Sequence, residues 1–126
     1  MNPKILDFDL DFEKIDFTQQ LGRELVVIGT KNDTKKMVLV DTHAQKRGQY
    51  LKIPENVALE NVRIYEKDRN FFLKTRNSLL FFYRESEKLE WIIDGKILAV
   101  GDTFALYEKD DGVWIADWRD PLKNSQ

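Results

Sequence analysis

Residues 89–118, LEWIIDGKILAVGDTFALYEKDDGVWIADW, carry the reading on which the fold turns. Short apolar runs alternate there with turn residues, a pattern that predicts four short strands and three turns. Asp94-Gly95 and Asp111-Gly112 are Asp-Gly pairs between apolar runs, the strongest short-range hairpin signal, and Gly101-Asp102 is a third turn candidate.

Upstream, residues 62–67, 71–75 and 79–84 read as a meander with turns at Asp68-Arg69-Asn70 and Arg76-Asn77-Ser78. Leu79-Leu80-Phe81-Phe82-Tyr83 is apolar at successive positions, so both of its faces should be covered, as in a central strand. Residues 85–88 form a charged turn leading into the stretch quoted above. Residues 24–30 (ELVVIGT) and 36–42 (KMVLVDT) flank the turn residues Lys31-Asn32-Asp33-Thr34 and predict a hairpin. Residues 44–50 are polar and basic and read as a loop. Ile53-Pro54-Glu55-Asn56 reads as a turn or one helical turn with Pro54 at its first position.

Near the N-terminus, Phe8, Leu10 and Phe12 alternate with Asp7, Asp9 and Asp11, which favours a strand followed by a short helical or irregular turn. A helix ended by Gly22 is the competing reading, since Phe8, Phe12 and Ile15 also fit a helical face. Residues 64–73 (IYEKDRNFFL) and 106–115 (LYEKDDGVWI) echo each other, and Ile28-Gly29-Thr30-Lys31-Asn32 echoes them more faintly. Shared hairpin chemistry accounts for the echo, because three copies are too few to close a propeller, which needs about four blades.

The chain has 126 residues, of which 42% are hydrophobic and 33% charged, a balance that suits one globular core without a metal or disulfide staple. A single domain over 1–126 is expected, with a tail fraying from about residue 119. Cysteine is absent, which rules out disulfides and Cys-ligated zinc or iron–sulfur centres; no cofactor and no metal are expected. The net charge of −2 argues against a nucleic-acid binder. No apolar run approaches the ~20 residues of a membrane helix, and the first residues lack a signal-peptide core. The expectation is a cytoplasmic protein without a membrane partner.

Asp41 and His43 would share a strand face, and a His oriented by a carboxylate is the kernel of general-base catalysis. Without a nucleophile motif beside them, a polar pair at a strand end explains them more simply. Leu6-Asp7-Phe8-Asp9-Leu10-Asp11 resembles the Asp-x-Asp nucleophile motif of haloacid-dehalogenase-type phosphatases over about six residues. That motif continues with Thr after a buried parallel strand, whereas Asp11-Phe12-Glu13 follows here. The spacing also fails to match a calcium loop. Lys31, Lys35, Lys36, Lys46, Arg47 and Lys52, with Tyr50 nearby, could form a phosphate footprint or a solvated loop face.

The acidic C-terminal region carries the favoured candidate site. Asp102, Glu108, Asp110, Asp111 and Asp117 lie close in sequence to Trp114 and Trp118. Strand alternation puts Trp114, Ala116 and Trp118 on one face and Val113 and Ile115 on the other. If Val113 and Ile115 pack inward, the tryptophans stand outward among carboxylates, the residue types of an interface hot spot. If the tryptophans pack inward, they are core.

The fold class expected is all-β: about nine mainly antiparallel strands in a sandwich or partly closed barrel, with at most one short helix. The function expected is non-enzymatic protein binding, in its concrete form an immunity-type inhibitor that neutralises a basic protein toxin through acidic complementarity. The alternatives are a small-molecule-binding β-barrel and an enzyme using Asp41 and His43.

Overall fold

The computed structural model describes residues 9–67, 70–83, 88–101 and 103–117. It is all-β and antiparallel, with no helix among the described residues. Two compact units divide the chain at Glu55 and Asn56.

The first unit holds one five-stranded sheet. Its strands are β1 (Lys14–Leu21), β2 (Glu24–Lys31), β3 (Thr34–Asp41), β4 (Lys46–Arg47) and β5 (Leu51–Lys52). β1, β2 and β3 run in order, and both β4 and β5 pair with β3. The β2–β3 hairpin turns through Asn32 and Asp33, both at positive φ (51° and 60°), the backbone a type I′ turn requires. The β1–β2 turn uses Gly22 at φ 61°, so the glycine that could have ended a helix instead opens a hairpin.

Of the strand expected at Asp7–Phe12, residues 7 and 8 lie outside the described residues and residues 9–12 are irregular; a strand lies later, at Lys14–Leu21. β1 is an edge strand with a bulge between Ile15 and Phe17, and an edge strand can carry a polar sequence such as KIDFTQQL. On one sheet face Val27, Val38 and Val40 are buried beneath Leu10, Phe12, Leu25 and Tyr50. The other face presents Val26, Ile28 and Met37, which are also buried.

The second unit contains two sheets. The four-stranded sheet runs β6 (Arg63–Lys67), β7 (Asn70–Lys74), β8 (Ser78–Tyr83), β9 (Lys88–Asp94). The three-stranded sheet runs β10 (Lys96–Val100), β11 (Phe104–Lys109), β12 (Gly112–Asp117). Leu79, Leu80, Phe81 and Phe82 of β8 are all buried, as their unbroken apolar run predicts. Leu79 and Phe81 look toward the three-stranded sheet, where Phe72 and Ile93 join Ile97, Ala105 and Ala116 in one cluster. Phe72 and Phe81, cross-strand partners, meet edge to face with ring centroids 4.6 Å apart. On the opposite face Phe71 stacks on Phe82 at 5.5 Å.

This face-to-face packing of two sheets is a sandwich arrangement, and among the described residues no sheet closes into a barrel. The three echoing segments are the hairpins β2–β3, β6–β7 and β11–β12, each with a two-residue connection, one in each of the three sheets.

Asp94-Gly95 is not a hairpin. β9 pairs with β8 and β10 pairs with β11, so the dipeptide marks the place where the chain leaves one sheet for the other. Gly95 adopts φ 155° and donates its N–H to Asn77 O at 2.8 Å. A Cβ there would approach Glu108 O to 2.8 Å and Tyr107 Cδ2 to 3.2 Å. Both the backbone conformation and the clearance exclude a larger residue. Gly95→Val is expected to destabilise the protein by about 1 kcal/mol or more, read as a lowered denaturant midpoint. An unchanged midpoint would show that this crossing tolerates a side chain.

Candidate functional site

The favoured residues converge on the β11–β12 hairpin. Lys109 pairs with Gly112, leaving Asp110 and Asp111 as the two turn residues at φ 51° and 61°. The turn is thus type I′ on Asp-Asp, and Gly112 opens the strand instead of occupying the turn. Glu108, Asp110 and Asp111 are exposed around this tip, and Asp117 is half-buried at the far end of β12. Asp102 and Trp118 lie outside the described residues.

The face assignment comes out in an unforeseen way. Ala116 is buried, so its face meets the core, and Val113 and Ile115 point away from it. They are 63% and 71% exposed. Trp114 shares the core-side face with Ala116 yet is 55% exposed, because it lies next to the hairpin tip. Its indole Nε1 donates to Lys109 O at 3.1 Å, folding the ring back over the turn. Gly112 leaves room for this, since a Cβ there would come within 3.0 Å of the indole nitrogen. The outer face therefore combines Val113, Ile115 and the exposed Phe104 with half-buried Leu106. Sequence reasoning singled out Trp114 and missed Val113 and Ile115.

The basic cluster is split by the pleat. Lys35 and Lys46 fall on one face of the first unit's sheet, opposite Thr30 and Asp41. Lys36 stands directly across from Lys52 on the other face, with Arg47 opposite Val40. The Arg47 guanidinium carbon lies 4.7 Å from the centroid of the Tyr50 ring, which meets Phe12 edge-on at 5.5 Å. Phe12 in turn covers Gly29, where any Cβ would run into its ring. Tyr50 Oη accepts the Asp11 N–H at 2.9 Å, and Asp11 pairs with Lys31. A cleft of about 310 Å³ opens between Asp11, Phe12, Lys31, Asn32, Thr34, Lys36 and Tyr50. The hydrogen bond and charge of Asp11 hold the Lys31 ammonium above its ordinary pKa.

Asp41 and His43 do not share a strand. β3 ends at Asp41, and the chain turns immediately after it. Asp41 Oδ1 accepts the backbone N–H groups of Ala44 (2.9 Å) and His43 (3.0 Å) and the Arg23 Nε–H (3.3 Å). The carboxylate thus caps a turn, and its contact with His43 is to the backbone, not the imidazole. Among the described residues, no group of three or more His, Asp or Glu is placed to hold a metal ion, and no helix is long and apolar enough to cross a membrane.

No protein-family model matches the chain, and no curated protein matches it significantly.

The Asp41 cap has a pH signature. The Ala44 N–H, and then the Arg23 guanidinium, hold its carboxyl below the ordinary value of 3.8. Because the folded pKa is depressed, the stabilisation is present above the unfolded value and is lost as pH falls through the folded one. Asp41→Asn keeps the acceptor oxygen but removes the titration. It is expected to lower the denaturant midpoint near neutrality and to lose its effect as pH falls through the depressed folded value, where the wild-type carboxyl also becomes neutral. A midpoint difference that persists undiminished in acid would assign the effect of the substitution to something other than charge.

Proposed function

We propose that this chain is a non-enzymatic protein-binding module that docks a basic partner on the β11–β12 hairpin. Its concrete form would be an immunity-type inhibitor that neutralises a cationic toxin in the cytoplasm. One observation carries the reading. Three successive large apolar residues, Val113, Trp114 and Ile115, stand exposed on a strand whose turn is built from two aspartates. Val113 and Ile115 lie together on the outer face and Trp114 on the other side of the same strand, and exposed apolar surface of this kind marks interaction sites. An aromatic anchor gives a slow off-rate, and the carboxylates at the rim steer a positive partner.

The two contributions separate kinetically. With the partner isolated by affinity capture, raising salt to about 0.5 M is expected to slow association markedly, since the screening length drops well below ~10 Å. Asp110→Asn with Asp111→Asn should lower the on-rate, whereas Trp114→Ala should mainly raise the off-rate. Surface plasmon resonance reads both, and binding indifferent to all of these changes would place the docking surface elsewhere. His43→Ala is expected to leave biological activity intact; a folded variant that loses it would transfer the argument to Asp41 and His43.

A second reading rests on the first unit's cleft. Lys36 lines it and stands across from Lys52 on the neighbouring strand, a like-charge pair whose repulsion a bound anion would relieve. A small anionic ligand seated against Tyr50 and Phe12 would supply that charge. Thermal stabilisation by inorganic phosphate, abolished by Lys36→Gln, is the observation that would favour it.

A further inference from the structure

Antiparallel pairing dictates where the backbone of β12 points. A two-residue turn makes Lys109 and Gly112 a mutually hydrogen-bonded pair, and such pairs recur at alternate positions. The polar backbone groups of Gly112, Trp114 and Ala116 are therefore directed at β11. Those of Val113 and Ile115 are directed away from it, toward the outer side of β12. β12 ends its sheet, so among the described residues no strand pairs with this side.

An open edge of this kind is a template for a further strand, and proteins blunt such edges with bulges, charges, prolines or brevity. The other strands at sheet edges show these devices. β1 bulges between Ile15 and Phe17, and β10 bulges between Ile97 and Ala99. The β8–β9 register shifts between Phe81 and Phe82, β6 carries Arg63, Glu66 and Lys67, and β4 and β5 have two residues each. β12 has no bulge, and its one charged residue, Asp117, is the last of the strand. Its register with β11 runs without a shift from Gly112 to Asp117, and it contains no Lys, Arg or Pro.

We infer that β12 is a strand-addition site: the partner contributes an extended segment that pairs with the backbone of Val113 and Ile115. This rests on the protein-binding reading above and specifies how the binding is made. The segment would place apolar side chains beside Val113 and Ile115, and Lys or Arg beside Asp110 and Asp111. Charge complementarity decides the occupant. Residues 108–117 hold Glu108, Asp110, Asp111 and Asp117 against Lys109 alone. A second copy laid antiparallel would bring its Asp110-Asp111 turn toward Asp117 of the first, and a parallel one would set aspartate on aspartate. A basic strand avoids both.

The test uses the full chain and a fluorescein-labelled heptapeptide of alternating lysine and valine, read by fluorescence anisotropy. Three comparison ligands are the same peptide N-methylated at alternate residues in each of the two phases, and its glutamate counterpart. Strand addition predicts that one methylated phase binds at least about tenfold more weakly than the other, because only one set of N–H groups faces β12. It also predicts that the glutamate peptide does not bind. Ile115→Pro removes an outward N–H at an edge, where proline is tolerated, and should weaken the lysine peptide by a similar factor. Circular dichroism checks that this variant is folded; if it is not, the methylated peptides decide alone. If Trp114→Ala and the Asp110/Asp111 variants weaken the peptide while both methylated phases bind equally, the surface is right and strand addition is wrong. If no peptide binds, or none of the changes matters, both readings fall. Sedimentation equilibrium showing a dimer that Ile115→Pro dissolves would make a second copy the occupant and overturn the basic-strand proposal.

Discussion

Burial of β8 on both faces is the constraint from which the second unit follows. Leu79, Leu80, Phe81 and Phe82 cannot all be hidden by one layer, since alternate residues point in opposite directions. β7 and β9 must flank the strand to satisfy its backbone, and a second layer must cover Leu79 and Phe81. The three-stranded sheet supplies that layer through Ile97, Ala105 and Ala116. Of the three side chains it buries in that cluster two are alanines, and half-buried Val100 and Tyr107 pack against it. The same small residues explain why β12 has so much apolar surface left over. Its inward contribution ends at Ala116, and its large side chains Val113 and Ile115 fall on the other side of the pleat.

Gly95 makes this layering possible. Within a single step the chain must leave the four-stranded sheet and enter the three-stranded one, passing close to the Glu108 carbonyl. The Gly95 N–H bond to Asn77 anchors the crossing to the β7–β8 turn, where Thr75 and Ser78 are buried and bonded to one another. That turn is held in place from outside by Arg76, which donates its backbone N–H to Glu60 O and pairs with the Glu60 carboxylate at 3.1 Å. The exposed pair contributes little by itself; the backbone bond beside it fixes the position.

Much of this architecture is legible in the residues. The run Leu79–Tyr83 reads as a doubly buried strand because nothing polar interrupts it, and Asn32-Asp33 reads as a turn because both side chains tolerate positive φ. Asp94-Gly95 misleads because a dipeptide reports only that the backbone turns sharply, not which strands it joins. β1 hides because an edge strand needs few apolar residues. At the candidate site, the acidic tip and Trp114 are visible in sequence. The exposure of Val113 and Ile115 is not, since alternation separates two faces without saying which one meets the core. Asp41 and His43 illustrate the same limit. Their spacing has meaning only if the strand continues past Asp41, and it stops there to let the carboxylate cap the turn.

Nearly every ladder in the molecule joins strands adjacent in the chain, the pairing of β3 with β5 being the one that skips a strand among those described. The loops that must close to form them are a few residues long, so little chain entropy is surrendered before contacts form. All-β proteins are slow to fold when their sheets join distant segments, as sandwiches with long crossovers do. A chain of successive hairpins escapes that penalty. Its sheets can form by local zippering, and docking of one preformed layer on another, with Gly95 as the pivot between the two layers of the second unit, becomes the step expected to set the folding rate.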